Sequence, residues 1–117
     1  MTTSADGQPL IPQPPAMVTA LRQAIAQITP AALPAFTREL DQAADQSRQG
    51  SGLSPLRRFT AQWAVYVYIQ RQPHLAANLR HWEDLAETGG SAQALRAASE
   101  LGKILDEAHA ALTMPQP

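Results

Sequence analysis

The stretch Ser54–Arg71, SPLRRFTAQWAVYVYIQR, decides the fold class of this chain. Ser54 followed by Pro55 is typical of a helix start, because a hydroxyl can cap the first turn and proline suits its first positions. The run from Trp63 to Ile69 is apolar and rich in β-branched and aromatic residues, so alone it also fits a buried strand. A strand needs partners, and no other segment alternates with period two. We therefore predict a buried helix from Pro55 to about Arg71.

The flanking segments carry apolar residues at helical spacing between helix-breaking signals. Further helices are predicted from about Pro15 to the residue before Pro30, from Pro30 or Pro34 to Gly50, from Pro73 to Gly89, and over residues 92–112 after a Ser91 cap. The predicted fold is all-α, with four to five short helices packed as a small bundle. Residues 1–13 are expected to be a disordered lead and 113–117 a disordered tail, which leaves 14–112 as a single helical domain.

Size and composition exclude several protein classes. The chain has 117 residues, a formal net charge of −1 and no cysteine, which fits one domain and excludes disulfide frameworks, thiolate zinc sites and cysteine nucleophiles. No apolar run reaches the roughly 18–20 residues that cross a bilayer. The first residues lack the basic and apolar regions of a signal peptide. We therefore expect a cytoplasmic protein without membrane contact.

The sequence contains no pattern typical of a catalytic or cofactor site. His74 and His81 share a helical face, but two strong ligands are fewer than a zinc site needs. The segment 49–52, QGSG, lacks the lysine and the preceding strand of a phosphate-binding loop. We predict no catalytic, metal-binding or cofactor-binding residues and no cofactor. A small enzyme of unknown reaction is kept as the third alternative.

The charges are distributed unevenly along the chain. Between residues 46 and 82 all five charged residues are arginines, whereas residues 83–107 carry six acids and two bases. Arg57 and Arg58 lie in the first turn of a helix, where the helix dipole disfavours cations. Together with Arg71 they are candidate partner-binding residues. A nucleic-acid-binding regulator is the second alternative, but the apolar helix that carries them does not resemble a recognition helix, which disfavours nucleic acid as partner.

The last helix has more apolar surface than one neighbour needs. Its apolar residues form two rows: Leu95, Ala98, Leu101 and Leu105, and Ala94, Ile104, Ala108 and Ala111. We predict that one row docks on the chain's own domain and that the other associates, in a homodimer or with a protein partner. Leu101, Ile104, Leu105 and Ala108 are the candidate contacts. Four aromatic residues are predicted to lie in the core or in a subunit interface: Phe59, Trp63, Tyr66 and Trp82.

The order of short motifs resembles a family of small actinobacterial helical proteins of unknown function. The motifs are Ala20-Leu21-Arg22-x-Ala24-Ile25, Ala35-Phe36-x-Arg38-Glu39-Leu40, Leu53-x-Pro55-Leu56 and Gln72-Pro73-His74. The resemblance covers about residues 18–87. Some such proteins resemble antitoxins, the protein partners that neutralise toxins, in size and helical character. The resemblance carries no functional residues. Our first hypothesis is a non-enzymatic helical protein-interaction protein, an antitoxin-like neutraliser or an accessory factor.

Overall fold

A computed structural model describes residues 8–113, and this part of the chain consists of helices and their connections without a strand. The helices are α1 (Val18–Ile28), α2 (Leu33–Gln46), α3 (Ser54–Gln70), α4 (Pro73–Thr88) and α5 (Ser91–Thr113), with a 3-10 turn at Pro30–Ala32 before α2. The prediction of an all-α fold with four to five helices is confirmed. The stretch from Trp63 to Ile69 is helical, so the alternative of a buried strand is wrong.

The helix starts differ from the predicted caps. The side chain of Ser54 makes no capping hydrogen bond, and the N-cap residue of α3 is Leu53. Ser91 is likewise the first residue of α5, and the preceding Gly90 N–H donates to Gln93 Oε1 at 3.0 Å. Prolines lie in the first turns of α2, α3 and α4, where their fixed φ suits the helix. The predicted start of the first helix near Pro15 is wrong, since α1 begins three residues later at Val18.

The connection between α2 and α3 depends on two glycines. Gly50 has φ 105° and Gly52 has φ 67°, in the left-handed region that residues with a Cβ rarely adopt. The chain leaves α2 through a π-type turn, Ser47–Ser51, and these two residues let it reverse into α3. This agrees with the predicted end of the second helix.

Helix α3 lies between two core clusters. The first joins α3 to α1 and α2 and contains the fully buried Leu21, Ile25, Phe36 and Val67. The second joins α3 to α5 through Val65, Ile69, Ile104 and Ala108, with half-buried side chains of α4 packed against it. Because α3 contacts neighbours on two sides, its second half buries consecutive residues from Trp63 to Val65, while its first half keeps an exposed face.

An N-terminal clasp, defined here as residues 10–13, packs against the end of α3. Ile11 is buried, and the Leu10 N–H donates to the Arg71 carbonyl oxygen at 2.7 Å. The Arg71 guanidinium donates to Gln13 Oε1 at 3.0 Å and to the Ile11 carbonyl at 3.2 Å. Gln13 Nε2 donates to the Ala64 carbonyl at 3.2 Å.

The clasp alters the prediction of a disordered N-terminal lead and the prediction of Arg71 as a partner contact. Residues 1–7 of the predicted disordered lead and 114–117 of the predicted tail lie outside the described residues. Residues 8–13 have no regular secondary structure, but residues 10–13 are held by the hydrogen bonds of the clasp. Arg71 was predicted as a partner contact. Its guanidinium instead donates hydrogen bonds to the chain's own N-terminal segment, because that segment places two oxygen acceptors beside it.

We expect Arg71→Ala to detach the clasp and to lower the free energy of unfolding by about 1–3 kcal/mol, because two hydrogen bonds to a charged group are lost. Urea unfolding measures the loss, and hydrogen exchange of the Leu10 amide reports the detachment. Arg80→Ala is the matched control, since Arg80 is exposed. Unchanged exchange at Leu10 in the Arg71 variant would contradict the anchoring role.

Candidate protein-binding surface

The two predicted apolar rows of α5 have different surroundings. Ile104 is 7% exposed and Ala108 is 0% exposed, so these residues dock α5 on the chain's own core. Ala97, which the sequence pattern placed in neither row, is also fully buried. In the other row Leu95 is 74% exposed and Leu105 is 42% exposed. The assignment of Ile104 and Ala108 as partner contacts is therefore corrected, because their side chains already pack within one chain.

Three members of this row are exposed and form the outer row: Leu95, Ala98 and Leu105. Leu101, the fourth predicted member of this row, is half-buried at its edge. The row runs along one flank of α5, beside the face that packs on the core. It contains the two large apolar side chains of α5 that are exposed, Leu95 and Leu105.

A groove of about 520 Å³ lies between α3, α4 and α5 next to the outer row. Helix α3 supplies Arg58, Ala61, Gln62, Val65, Tyr66 and Ile69, α4 supplies Leu79, and α5 supplies Leu105 and His109. Val65 and Ile69 are buried, so they form an apolar floor, while Arg58 and His109 are exposed. Leu105 belongs both to the groove and to the outer row, which makes the two features one surface.

The exposed arginines of α3 have no acidic partner within residues 8–113. The ion pairs in this part of the chain join Arg48 to Asp45 and Lys103 to Glu100. Arg57 and Arg58 are both exposed, and Arg58 lines the groove whereas Arg57 does not. The structure thus brings Arg58 and Leu105 of the predicted set together and places Arg57 and Arg71 elsewhere.

Of the four aromatic residues predicted to lie in the core or in an interface, two are buried and two are half-buried. Phe59 and Trp63 are buried, and their rings lie 5.0 and 5.2 Å from the ring of Phe36, centroid to centroid. Trp63 Nε1 donates to Glu39 Oε1 at 3.1 Å. The half-buried Tyr66 donates from its hydroxyl to Thr29 Oγ1 at 3.0 Å. These polar partners come from α2 and from the segment after α1, which sequence spacing on α3 cannot reveal.

Trp82 is half-buried and packs against the second core cluster. The Arg96 guanidinium lies 5.7 Å from its ring centroid, and the ring of His81 meets it edge-on at 4.8 Å. His81 therefore has an aromatic neighbour on its own helix. In the described range, no three His, Asp or Glu side chains come together as a metal site, and none of the helices is long and apolar enough to cross a membrane.

Comparison of this chain with family models, curated proteins and solved structures finds no match. The resemblance to the actinobacterial family stays a prediction.

Proposed function

We propose that this is a non-enzymatic, cytoplasmic interaction protein that binds another protein chain through the α3–α5 surface, defined as the groove together with the outer row. The observation that supports the proposal is the exposure of Leu95 and Leu105, 74% and 42%, on a well-packed helix beside an apolar groove. Contiguous exposed apolar surface is kept small on proteins that have no partner. Covering it removes apolar area from water, which favours association.

The shape of the surface favours a helical segment as the bound element. A groove between two helices accepts the apolar face of an amphipathic helix, and apolar side chains at three- and four-residue spacing fill it. Arg58 at the rim favours a segment that carries an acidic residue at its edge, because complementary charge fixes register and speeds encounter. An antitoxin-like neutraliser would use such a surface to cover its target.

Site-directed photo-crosslinking tests the proposal in the native cell. A photo-reactive residue at Gln62 or Leu105 is expected to crosslink to a protein, and the same residue at Gln42 on α2 is expected not to. All three positions are at the surface of the described chain, so a crosslink from position 42 alone, or equal crosslinking everywhere, contradicts the proposal. Crosslinks to nucleic acid, lost when Arg57 and Arg58 are changed to Ala, would favour the second alternative.

The partner identified in this way can then be titrated against purified variants. Leu105→Asp is expected to weaken binding at least tenfold, since it places a charge in an apolar contact. Gln42→Asp is the matched control and should leave the Kd unchanged. If both variants bind like the original chain, the α3–α5 surface is not the binding site.

A further inference from the structure

A short motif, an apolar residue followed by Pro-Gln-Pro, occurs twice in the chain. Its first copy is Ile11-Pro12-Gln13-Pro14, which overlaps the N-terminal clasp, and its second copy is Met114-Pro115-Gln116-Pro117. The second copy lies outside the described residues, but it follows directly on Thr113, the last residue of α5. The contacts of the first copy therefore indicate what the second copy can bind.

The first copy binds the end of α3 through one carbonyl oxygen and one glutamine side chain. Arg71 donates from Nη1 to the Ile11 carbonyl and from Nε to Gln13 Oε1. The prolines beside the glutamine suit this binding, because they hold the backbone extended and have no N–H that needs an acceptor. The second copy offers the same groups at the same spacing, namely the Met114 carbonyl and the Gln116 side chain.

A cavity of about 680 Å³ lies between the clasp, α3 and the last turns of α5. Gln13 and Pro14 line it from the N-terminal side, Tyr68 and Arg71 from the end of α3, and Leu112 from α5. It shares no lining residue with the groove of the α3–α5 surface. What fills this cavity is therefore a separate matter from the proposed function.

Arg71 and Tyr68 equip the cavity to bind a proline-rich segment. A guanidinium has more N–H donors than the two that hydrogen bonds within residues 8–113 use, one on Nε and one on Nη1. The guanidinium carbon lies 5.4 Å from the centroid of the half-buried Tyr68 ring. Proline-rich segments dock against aromatic walls of this kind, and the remaining donors can bind their carbonyl oxygens.

We propose that Met114–Pro117 docks in this cavity of its own chain. The Met114 side chain packs on the Tyr68 ring, because an unbranched thioether adapts to an irregular wall and contacts aromatic rings favourably. The Met114 carbonyl and the Gln116 side-chain oxygen accept hydrogen bonds from Arg71. The Arg71 guanidinium then binds both copies of the motif and ties the N-terminal segment to the end of α5.

The short distance along the chain selects this segment as the occupant. Leu112 already lines the cavity, and Met114 follows within about 7 Å of extended chain. A segment on so short a tether has an effective concentration of about a millimolar. A second copy of the chain reaches that level only in concentrated solution, so the chain's own segment is favoured.

Nuclear magnetic resonance of the full chain, with isotope-labelled methionine methyl groups, tests the docking. We expect nuclear Overhauser contacts from the Met114 methyl group to the Tyr68 ring. Met17 is the internal control, because it is 60% exposed and does not line the cavity, and its methyl group should show no such contact. If the Met114 methyl group shows none either, the proposal is overturned.

Gln116→Ala tests the hydrogen bond from Arg71. Docking should weaken about tenfold, since a hydrogen bond to a charged group is lost, while the Leu10 amide keeps its hydrogen-exchange protection because the clasp is intact. Gln42→Ala, at an exposed position of α2, is the control and should change neither. A Gln116→Ala chain that keeps the full Met114 contact contradicts recognition through the motif.

A mixed sample distinguishes the chain's own segment from that of a second copy. Chains labelled in their methionine methyl groups are mixed with chains labelled in their tyrosine rings. We expect no contact between the two labels, because each segment docks within its own chain. A contact between Met114 of one chain and Tyr68 of another overturns docking within one chain and assigns the cavity to a second copy.

Discussion

Trp63→Ala is expected to lower the free energy of unfolding by about 3–5 kcal/mol, the range for truncating a large buried aromatic side chain. Trp63 is 6% exposed and its ring lies 5.2 Å from the Phe36 ring and 4.9 Å from the Tyr66 ring, centroid to centroid. The change opens a cavity where α2 meets α3 and leaves Glu39 without its indole donor. Urea unfolding followed by far-UV circular dichroism measures the loss.

Trp82→Ala is the matched comparison, because it removes the same side chain from a half-buried site. We expect less than half of the loss seen for Trp63→Ala. Trp63→Phe keeps an aromatic ring and removes the hydrogen bond to Glu39, which should cost about 1 kcal/mol from that bond alone. Equal losses for the two alanine variants would show that the first core cluster is not the more tightly packed one.

Ile104→Ala is expected to destabilise the chain by about 2–5 kcal/mol, and Leu105→Ala by roughly 0.5 kcal/mol or less. The two residues are sequence neighbours, but Ile104 is 7% exposed within the second core cluster whereas Leu105 is 42% exposed. The difference therefore measures which row of α5 faces the core.

This comparison is best made by urea unfolding at about 1–2 µM, where any association through the α3–α5 surface contributes least. Association stabilises the folded original chain at higher concentration, so a Leu105 variant that associates less would show an additional loss of stability. Dilution removes this contribution. A larger loss for Leu105→Ala than for Ile104→Ala at low concentration would mean that α5 docks on α3 by its other flank.

Local signals in the sequence determined the helices and most of their boundaries. Prolines in the first turns, as at Pro55 and Pro73, and glycines at the ends act within a few residues, so no tertiary context is needed to interpret them. Capping hydroxyls were less informative: Ser54 lies inside α3 and makes no cap bond, because the chain begins helical geometry already at Leu53. The fold class followed from helical spacing and from the lack of any alternating segment.

The candidate surface could be predicted only in part. Leu105 and Arg58 were recognised from an apolar row and from a charge placed against the helix dipole, and both line the groove. Ile104 and Ala108 belonged to an equally apolar row, yet they are core residues. Arg71 was predicted as a partner-binding residue, since no sequence pattern identifies Ile11 and Gln13 as the oxygen acceptors that contact it.

The sequence by itself determined that this chain is helical, that α3 is buried on more than one side, and that α5 carries two apolar rows. Only the tertiary structure decided which row of α5 packs inward, where the Arg71 guanidinium is used and that Trp63 bonds to Glu39. Helical periodicity places each side chain at an angle around its own axis. It contains no information on where the neighbouring helices lie, and burial depends on those neighbours.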